Sequence, residues 1–202
     1  MNKWIKPVVL NGEHVILKPL ELSQCKALQN AVCDGELWKL WYTRIPEPDQ
    51  MTAEICRRLE LQQQGAMLPF YVEDRHSGQA IGMTSFMNIE AVHRRVEIGS
   101  TWYRKTAQRT PVNTECKKLL LSHAFDTLDC IAVEFRTSSF NFKSQAAIQR
   151  LGAKLDGVLR SHQIVENDIL RDTHVYSILR NEWPAVHQHL QWLLTQPRSI
   201  SS

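Results

Sequence analysis

The chain is 202 residues long, 43% hydrophobic and 22% charged, with 24 Lys plus Arg against 21 Asp plus Glu for a net charge of +3. At roughly 150 residues per domain this predicts a single domain over 1–202, large enough to bury a core without disulfide or metal staples. The balance excludes a disordered chain, a collagen-like fibre and a coiled-coil rod, and no apolar run approaches the roughly 18 residues of a membrane-spanning helix.

The opening stretch, Met1 to Pro7, holds no apolar signal core, so residence in the reducing cytoplasm is expected. His14 to Lys18 alternates and is followed by Pro19, a strand with a stop. Helical patterns come next over about Glu21 to Cys33 and Met51 to Gln64, the second with Ile55, Leu59 and Leu61 apolar and Thr52 as cap. Then the period changes. Pro69 to Val72, Ala80 to Ile89 and Arg95 to Tyr103 are rich in β-branched and aromatic residues, and the turn-forming run Asp74 to Gly78 separates the first two. Three consecutive antiparallel strands are predicted.

A polar loop then leads into a helix from about Pro111 to Thr127, with Val112, Cys116, Leu120 and Ala124 on one stripe. A strand at Ile131 to Thr137 and a helix from about Phe142 to Leu151, stopped by Gly152, come next. Ala153 to Arg160 and His174 to Leu179 read as two late strands parted by a polar turn at Glu166 to Asp168. A final helix is predicted over about Glu182 to Leu194, with Asn181 as cap and Pro184 in its first turn, and Ile200 to Ser202 read as a frayed terminus. A strand meander leading into a β-α-β-α segment predicts an α/β fold, a mixed sheet covered on both faces, with a ligand where the two parts meet.

Charge and cysteine add exclusions. The basic pairs Arg57-Arg58, Arg94-Arg95 and Lys117-Lys118 are scattered, and none extends into a nucleic-acid-binding arm. Five cysteines make an odd count without C-x-x-C spacing, against a disulfide frame or zinc site. His187 and His189, two apart on a helix, do not share a face and cannot chelate a metal together, so no metal is expected. Cys116 and Cys130 are expected in the core.

The chemically informative stretch runs from Glu97 through Tyr103 and Gln108 to Glu115. A strand ends, a short loop crosses, and a helix opens with Thr110 ahead of Pro111. The free N–H groups of Val112, Asn113 and Thr114 at the positive end of the helix suit a phosphate or pyrophosphate, and Arg104, Lys105 and Arg109 add mobile positive charge. Every helix has such an end, however, and most bind water.

This strand, loop and helix resemble the acyl-CoA pyrophosphate loop of the GNAT superfamily of N-acetyltransferases. Downstream, Asn141, Ser144, Ile148, Gly152 and Ala153 resemble its Asn-x-x-Ser/Ala-x-x-x-Tyr-x-x-x-Gly-Phe segment. Leu17 to Leu20 resembles the Leu-Arg-Pro-Leu opening of the branch acting on ribosomal-protein N-termini. The resemblance covers about residues 10–180, with the last helix at about 182–195.

It implies a GNAT fold, a mixed and mostly antiparallel sheet with helices on both faces, that moves an acetyl group from acetyl-CoA to a primary amine. A protein N-terminal α-amine is the implied acceptor, taken by direct attack in a ternary complex. Carried over, Gln108, Arg109, Thr110, Val112, Asn113 and Thr114 hold the pyrophosphate, Thr101, Trp102 and Tyr103 pair with the pantetheine arm, and Asn141 bonds the arm near the sulfur. Ser144 protonates the leaving thiolate; Asn141 and Ser144 also read as a helix cap and its partner. Glu97 is the candidate base, with His162 and Glu166 as rivals and a structural ion pair to Arg95 or Arg136 as the competing reading.

Three positions depart from the family pattern: Pro111 stands where most members have Gly, removing an N–H, Asn113 where they have Gly or Ala, and Ile148 where many carry a tyrosine acid. Trp38, Trp41 and Tyr42 are candidates for an acceptor pocket. A small-amine acetyltransferase, with Glu36, Glu47 and Asp49 near its mouth, and a non-catalytic CoA-binding domain are the rival readings. Neither nucleic acid nor membrane is an expected partner, and monomer and homodimer both remain open.

Overall fold

A computed structural model describes residues 4–196, so the expected frayed end at Ile200 to Ser202 lies outside the described residues. Eight strands form one sheet in the order β1-β2-β3-β4-β5-β6-β8-β7. They are β1 (Leu10–Asn11), β2 (Val15–Pro19), β3 (Met67–Asp74), β4 (Ala80–Glu90), β5 (Arg95–Tyr103), β6 (Ala132–Ser138), β7 (Lys154–Ile164) and β8 (Leu170–Leu179). The helices are α1 (Cys25–Cys33), α2 (Met51–Gln64), α3 (Val112–Ser122), α4 (Phe142–Arg150) and α5 (Trp183–Thr195). All neighbouring strands run antiparallel except β5 and β6. Among the described residues no helix is long and apolar enough to cross a membrane.

Two cores lie on opposite faces of this sheet. One gathers Leu28, Val32, Met51, Ile55, Met83 and Trp102 under α1 and α2. The other gathers Phe70, Phe86, Val96, Cys116, Leu120, Phe125 and Tyr176 under α3 and α5. Period-two alternation sends neighbours to opposite sides, as with Phe70 and Tyr71 or Trp102 and Tyr103.

Several boundaries differ from the sequence reading. β3 runs on both sides of Pro69, because its missing N–H faces β2 where β2 has ended; the Pro69 carbonyl takes the Leu20 N–H there at 3.2 Å. Thr52 is not a cap: a turn at Pro48–Gln50 leads straight into α2. Asn181 lies outside α5, whose cap is Glu182, and α3 passes into a wider π-helical turn at His123–Thr127. β7 and β8 are longer than predicted and β1 was not foreseen; β7 is exposed along nearly its whole length, so it carries no burial alternation.

Glu115 fastens α3 to the first hairpin. Its carboxylate accepts the N–H groups of Glu13, His14 and Val15 at 2.8, 2.8 and 2.9 Å. A Cβ on Gly12 would lie 2.4 Å from that carboxylate, so a larger residue there would displace the Glu115 side chain from its three N–H partners.

Two features of β5 shape the site. Its parallel pairing with β6 covers only Arg95 to Glu97 against Ala132 to Glu134, after which the strands part. Against β4, Met83 pairs with Trp102 but Ser85 with Gly99, so β5 carries one extra residue, a bulge at Ser100 with φ +47. On the facing strand, a Cβ at Gly82 would meet the Trp102 carbonyl oxygen at 2.1 Å.

Candidate active site

Two buried cations hold the bulge from opposite faces. From α2, Arg58 (2% exposed) donates its Nη1 proton to the Ser100 carbonyl at 3.1 Å and to Ser85 Oγ at 3.2 Å, while its Nε binds Glu54 at 2.6 Å. From α3, the Lys117 ammonium donates to Thr101 Oγ1 at 2.9 Å, and that hydroxyl also bonds Thr84 Oγ1 at 2.7 Å. Burial pulls the Lys117 pKa down to about 8. Sequence reasoning missed both roles, treating each residue as half of a scattered basic pair. One signal was available: Lys117 follows core residue Cys116 and precedes Leu121 by one helical turn, a buried stripe.

Glu97 lies just before the divergence of β5 from β6, opposite Glu134. Buried at 6% exposure, it accepts the Asn88 Nδ2 proton at 2.6 Å and faces Arg136 Nε at 3.6 Å. Burial raises its pKa, against the opposing pull of Arg136 and of the Asn88 hydrogen bond. Arg136 is divided between Glu97 and Glu134, and Glu134 also binds Arg95 at 2.5 Å. A cleft of about 410 Å³ opens beside them, lined by Ala66, Asn88, Ile89, Glu90 and Arg136. Glu97 is thus both an ion-pair partner and the neighbour of a cleft.

The loop after β5 runs through a turn at Lys105–Ala107 to Arg109, at φ +61, then Thr110, Pro111 and α3. Asn113 and Thr114 occupy the first helical turn, where N–H groups have no carbonyl of the helix behind them. The side chains are otherwise engaged. Gln108 Nε2 turns back to the Tyr103 carbonyl at 3.1 Å, Thr110 Oγ1 donates to Ala107 at 2.6 Å, and Val112 enters the core. The Thr114 hydroxyl is buried and takes an Arg150 proton at 3.0 Å. Arg104 is not the mobile charge expected: Asp34 binds it at 3.0 Å, and the Thr106 hydroxyl, first among its partners, holds Asp34 below the usual carboxylate range. Lys105 and Arg109 are exposed.

At the far side of the divergence, Asn141 caps α4, its Oδ1 accepting the Ser144 N–H at 3.1 Å. Ser144 is half-buried in that first turn, and the nearby Ser139 Oγ is buried with no hydrogen-bond partner among the described residues. Ile148, one turn further, is buried in the core. Among the described residues no hydrogen bond joins Ser144 to Glu97, which approach the gap from α4 and from β5. Tyr103 and Trp102 are buried on opposite faces, and burial pushes the neighbouring Cys116 thiol up to about 12. That places Cys116 in the core rather than at a reacting centre.

His162 Nδ1 contacts Thr173 Oγ1 at 3.1 Å within the β7–β8 hairpin; the Glu166 side chain lies outside the described residues. Trp38 packs on the α1–α2 core, whereas Trp41 is 62% exposed and rests on Phe140 with ring centroids 5.2 Å apart. Glu36 is occupied by Lys39 at 2.8 Å. A smaller cavity, about 260 Å³, lies behind the loop against His14 and His76 and takes no residue from the gap between β5 and β6.

Known proteins resemble this chain in both sequence and fold. The sequence profile of the family described as "Acetyltransferase (GNAT) domain" matches residues 14–154. The chain is 32% identical over 108 residues to "Putative ribosomal N-acetyltransferase YdaF" of Bacillus subtilis (strain 168), a match spanning 54% of this chain and 58% of that one. A GCN5-related N-acetyltransferase structure from Brucella melitensis is 26% identical, with a TM-score of 0.84 over 95% of this chain and 87% of that one. At 18% identity, Mycobacterium smegmatis RimJ in complex with CoA-disulfide shares the fold, with a TM-score of 0.78 over 93% and 95% of the two chains.

Proposed function

The chain belongs to the GNAT acetyltransferase family, and from that premise we propose that it transfers the acetyl group of acetyl-CoA to a primary amine, with a protein N-terminal α-amine as the favoured acceptor. One observation carries the reading: β5 leaves β6 after three residue pairs, and the gap is flanked by the first turns of α3 and α4.

The residues fit the coenzyme. Past Glu97 the facing edge of β5 has no strand partner among the described residues, so Thr101 to Tyr103 offer backbone groups to an amide-bearing arm. The N–H groups of Asn113 and Thr114 and the exposed Arg109 suit a pyrophosphate, with one donor fewer because Pro111 has none. Asn141 spends its Oδ1 on the cap and keeps its Nδ2 donor.

When bound, acetyl-CoA supplies the activated acyl group. The chain supplies the rest. Backbone N–H groups at the Ser100 bulge are held rigid by Arg58 and Lys117 to polarise the acyl carbonyl, a task that requires donors fixed in advance. Glu97, its pKa raised by burial, receives the amine proton directly or through water. Ser144 delivers a proton to the departing sulfur. An α-amine, with ordinary pKa about 7.7–8.0, suits this modest base better than a lysine at about 10.4. The relative's name as a ribosomal N-acetyltransferase supports the N-terminal acceptor. The free thiols of exposed Cys33 and Cys56 support a reducing, cytoplasmic compartment.

Thermal shift with acetyl-CoA, followed by thiol release across peptides and free amines, tests this. Coenzyme at 100 times its Kd is expected to stabilise by about 2.7 kcal/mol. Release with peptides alone upholds the reading, release with small amines alone reassigns the acceptor, and binding without any release leaves a coenzyme-binding module.

A further inference from the structure

The mouth of the gap carries positive charge that the surrounding acids do not neutralise. On the sheet face shared with Glu97, alternation places Glu134 and Arg136 on β6 and Arg171 and Thr173 on β8. Glu97 and Glu134 are matched by Arg136 and Arg95. Two cations remain in excess, though Glu97 also attracts Arg171. Arg171 gives one Nη1 proton to Gln163 at 3.2 Å, and its Nε is buried with no hydrogen-bond partner among the described residues. Arg44 follows Trp41 and Tyr42 in the segment before α2; burial depresses the Arg171 pKa, the like charge of Arg44 adds to the shift, and the attraction of Glu97 opposes it.

Two contacts bring these arginines to the same place. Trp41 rests on Phe140, and the Ser139 N–H bonds the carbonyl of Asp172, next to Arg171. Both partners lie in the turn that leads into Asn141 and Ser144. A buried guanidinium N–H without an acceptor is costly, and the like charge of Arg44 adds to that cost; an incoming anion relieves both.

We propose that Arg171 and Arg44 form an acceptor subsite for a carboxylate, so that the amine acetylated belongs to a molecule with an acidic group close to it: a peptide whose acidic side chain follows the free N-terminus. Trp41 and Phe140 form its apolar rim. The inference rests on the transferase reading and narrows it. A polycationic amine meets repulsion here, and Glu36, already paired with Lys39, does not offset it.

The test measures affinity on protein saturated with CoA, which carries no acyl group, so peptides with free amines bind without reacting. Two peptides differ only in Asp or Asn after an N-terminal Ala, and free aspartate forms a third arm. The acidic peptide should bind about tenfold tighter, the range of one charge-assisted hydrogen bond, and Arg171→Gln or Arg44→Gln should erase the difference. Aspartate binding in place of the peptide keeps the anion subsite and assigns the carboxylate to a free amino acid. Equal affinity for the two peptides, no binding in any arm, equal weakening of both peptides by Arg171→Gln, or a loss of CoA affinity in that variant overturns the subsite. Acetyl transfer to the same peptides is scored separately. Acid-selective binding without transfer sinks the transferase reading and leaves the subsite; transfer without acid preference does the reverse.

Discussion

Arg58 on α2 donates a proton from its buried guanidinium to the carbonyl of Ser100, the bulged residue of β5, at 3.1 Å. This bond spans 42 positions in sequence and fixes the one irregular peptide of the strand from the α1–α2 side. Lys117 fixes the next residue from the other side. The bulge is therefore held by charge-assisted bonds where ladder bonds are interrupted.

Arg58→Met should cost about 3 kcal/mol of stability, because Glu54 loses its buried partner and the Ser100 carbonyl is left without a donor. Turnover should fall more than coenzyme affinity, since the bulge meets the acyl carbonyl rather than the nucleotide. Urea unfolding and steady-state kinetics read the two separately. Unchanged kcat in a folded variant would remove the bulge from the mechanism.

Lys117→Met probes the opposite clamp through pH. With a native pKa of about 8 against an ordinary value of about 10.4, the folded chain gives up this proton before the unfolded chain does. Stability therefore rises with pH between those two values. The variant lacks this gain, so wild type should improve relative to it by on the order of 3 kcal/mol from pH 8 to 10.5. A flat difference in unfolding free energy across that window contradicts the buried ammonium.

Glu97 should set the acid limb of the pH dependence of kcat/KM, displaced above the usual carboxylate range by burial. Arg136→Met removes the neighbouring cation and should move the limb to still higher pH; Glu97→Gln should abolish it. Protonated Glu97 is the better-tolerated buried form, so its favourable effect on stability is present at low pH and fades as pH rises through the raised pKa. An identical limb in wild type and Glu97→Gln would hand the base role to another group.

Asn141 has two jobs that one substitution separates. Asn141→Asp keeps an oxygen for the Ser144 N–H but loses the Nδ2 donor, whereas Asn141→Ala loses both. The aspartate variant should retain its melting temperature and bind CoA more weakly; the alanine variant should also lose about 1 kcal/mol of stability. Matching CoA affinity in Asn141→Asp and wild type would confine Asn141 to capping.

Features set by local chemistry were legible in the sequence. Asn141 three residues ahead of Ser144 announces a cap, and the change of period after Gly65 announces the meander of β3 to β5. Features set by distant neighbours were hidden. Nothing local marks Ser100 for a left-handed conformation that non-glycine residues rarely adopt. Arg58 and Lys117 read as surface charge because the groups they satisfy come from strands far along the chain. Pro69 reads as the opening of a strand because its tolerance inside one depends on where β2 stops. Arg171 drew no notice, since its orphaned N–H exists only once β8 stands beside the turn before α4.

The hold of Glu115 on the first hairpin bears on how this protein forms during translation. The amides of residues 13 to 15 find their acceptor about a hundred residues later, and β2 finds its sheet partner only with β3. On the ribosome, where about 5–20 residues emerge each second, the nascent amino-terminal segment waits several seconds for both. Until α3 leaves the exit tunnel that segment is exposed to chaperones, and a substitution at Glu115 would prolong the exposure as well as weaken the finished fold.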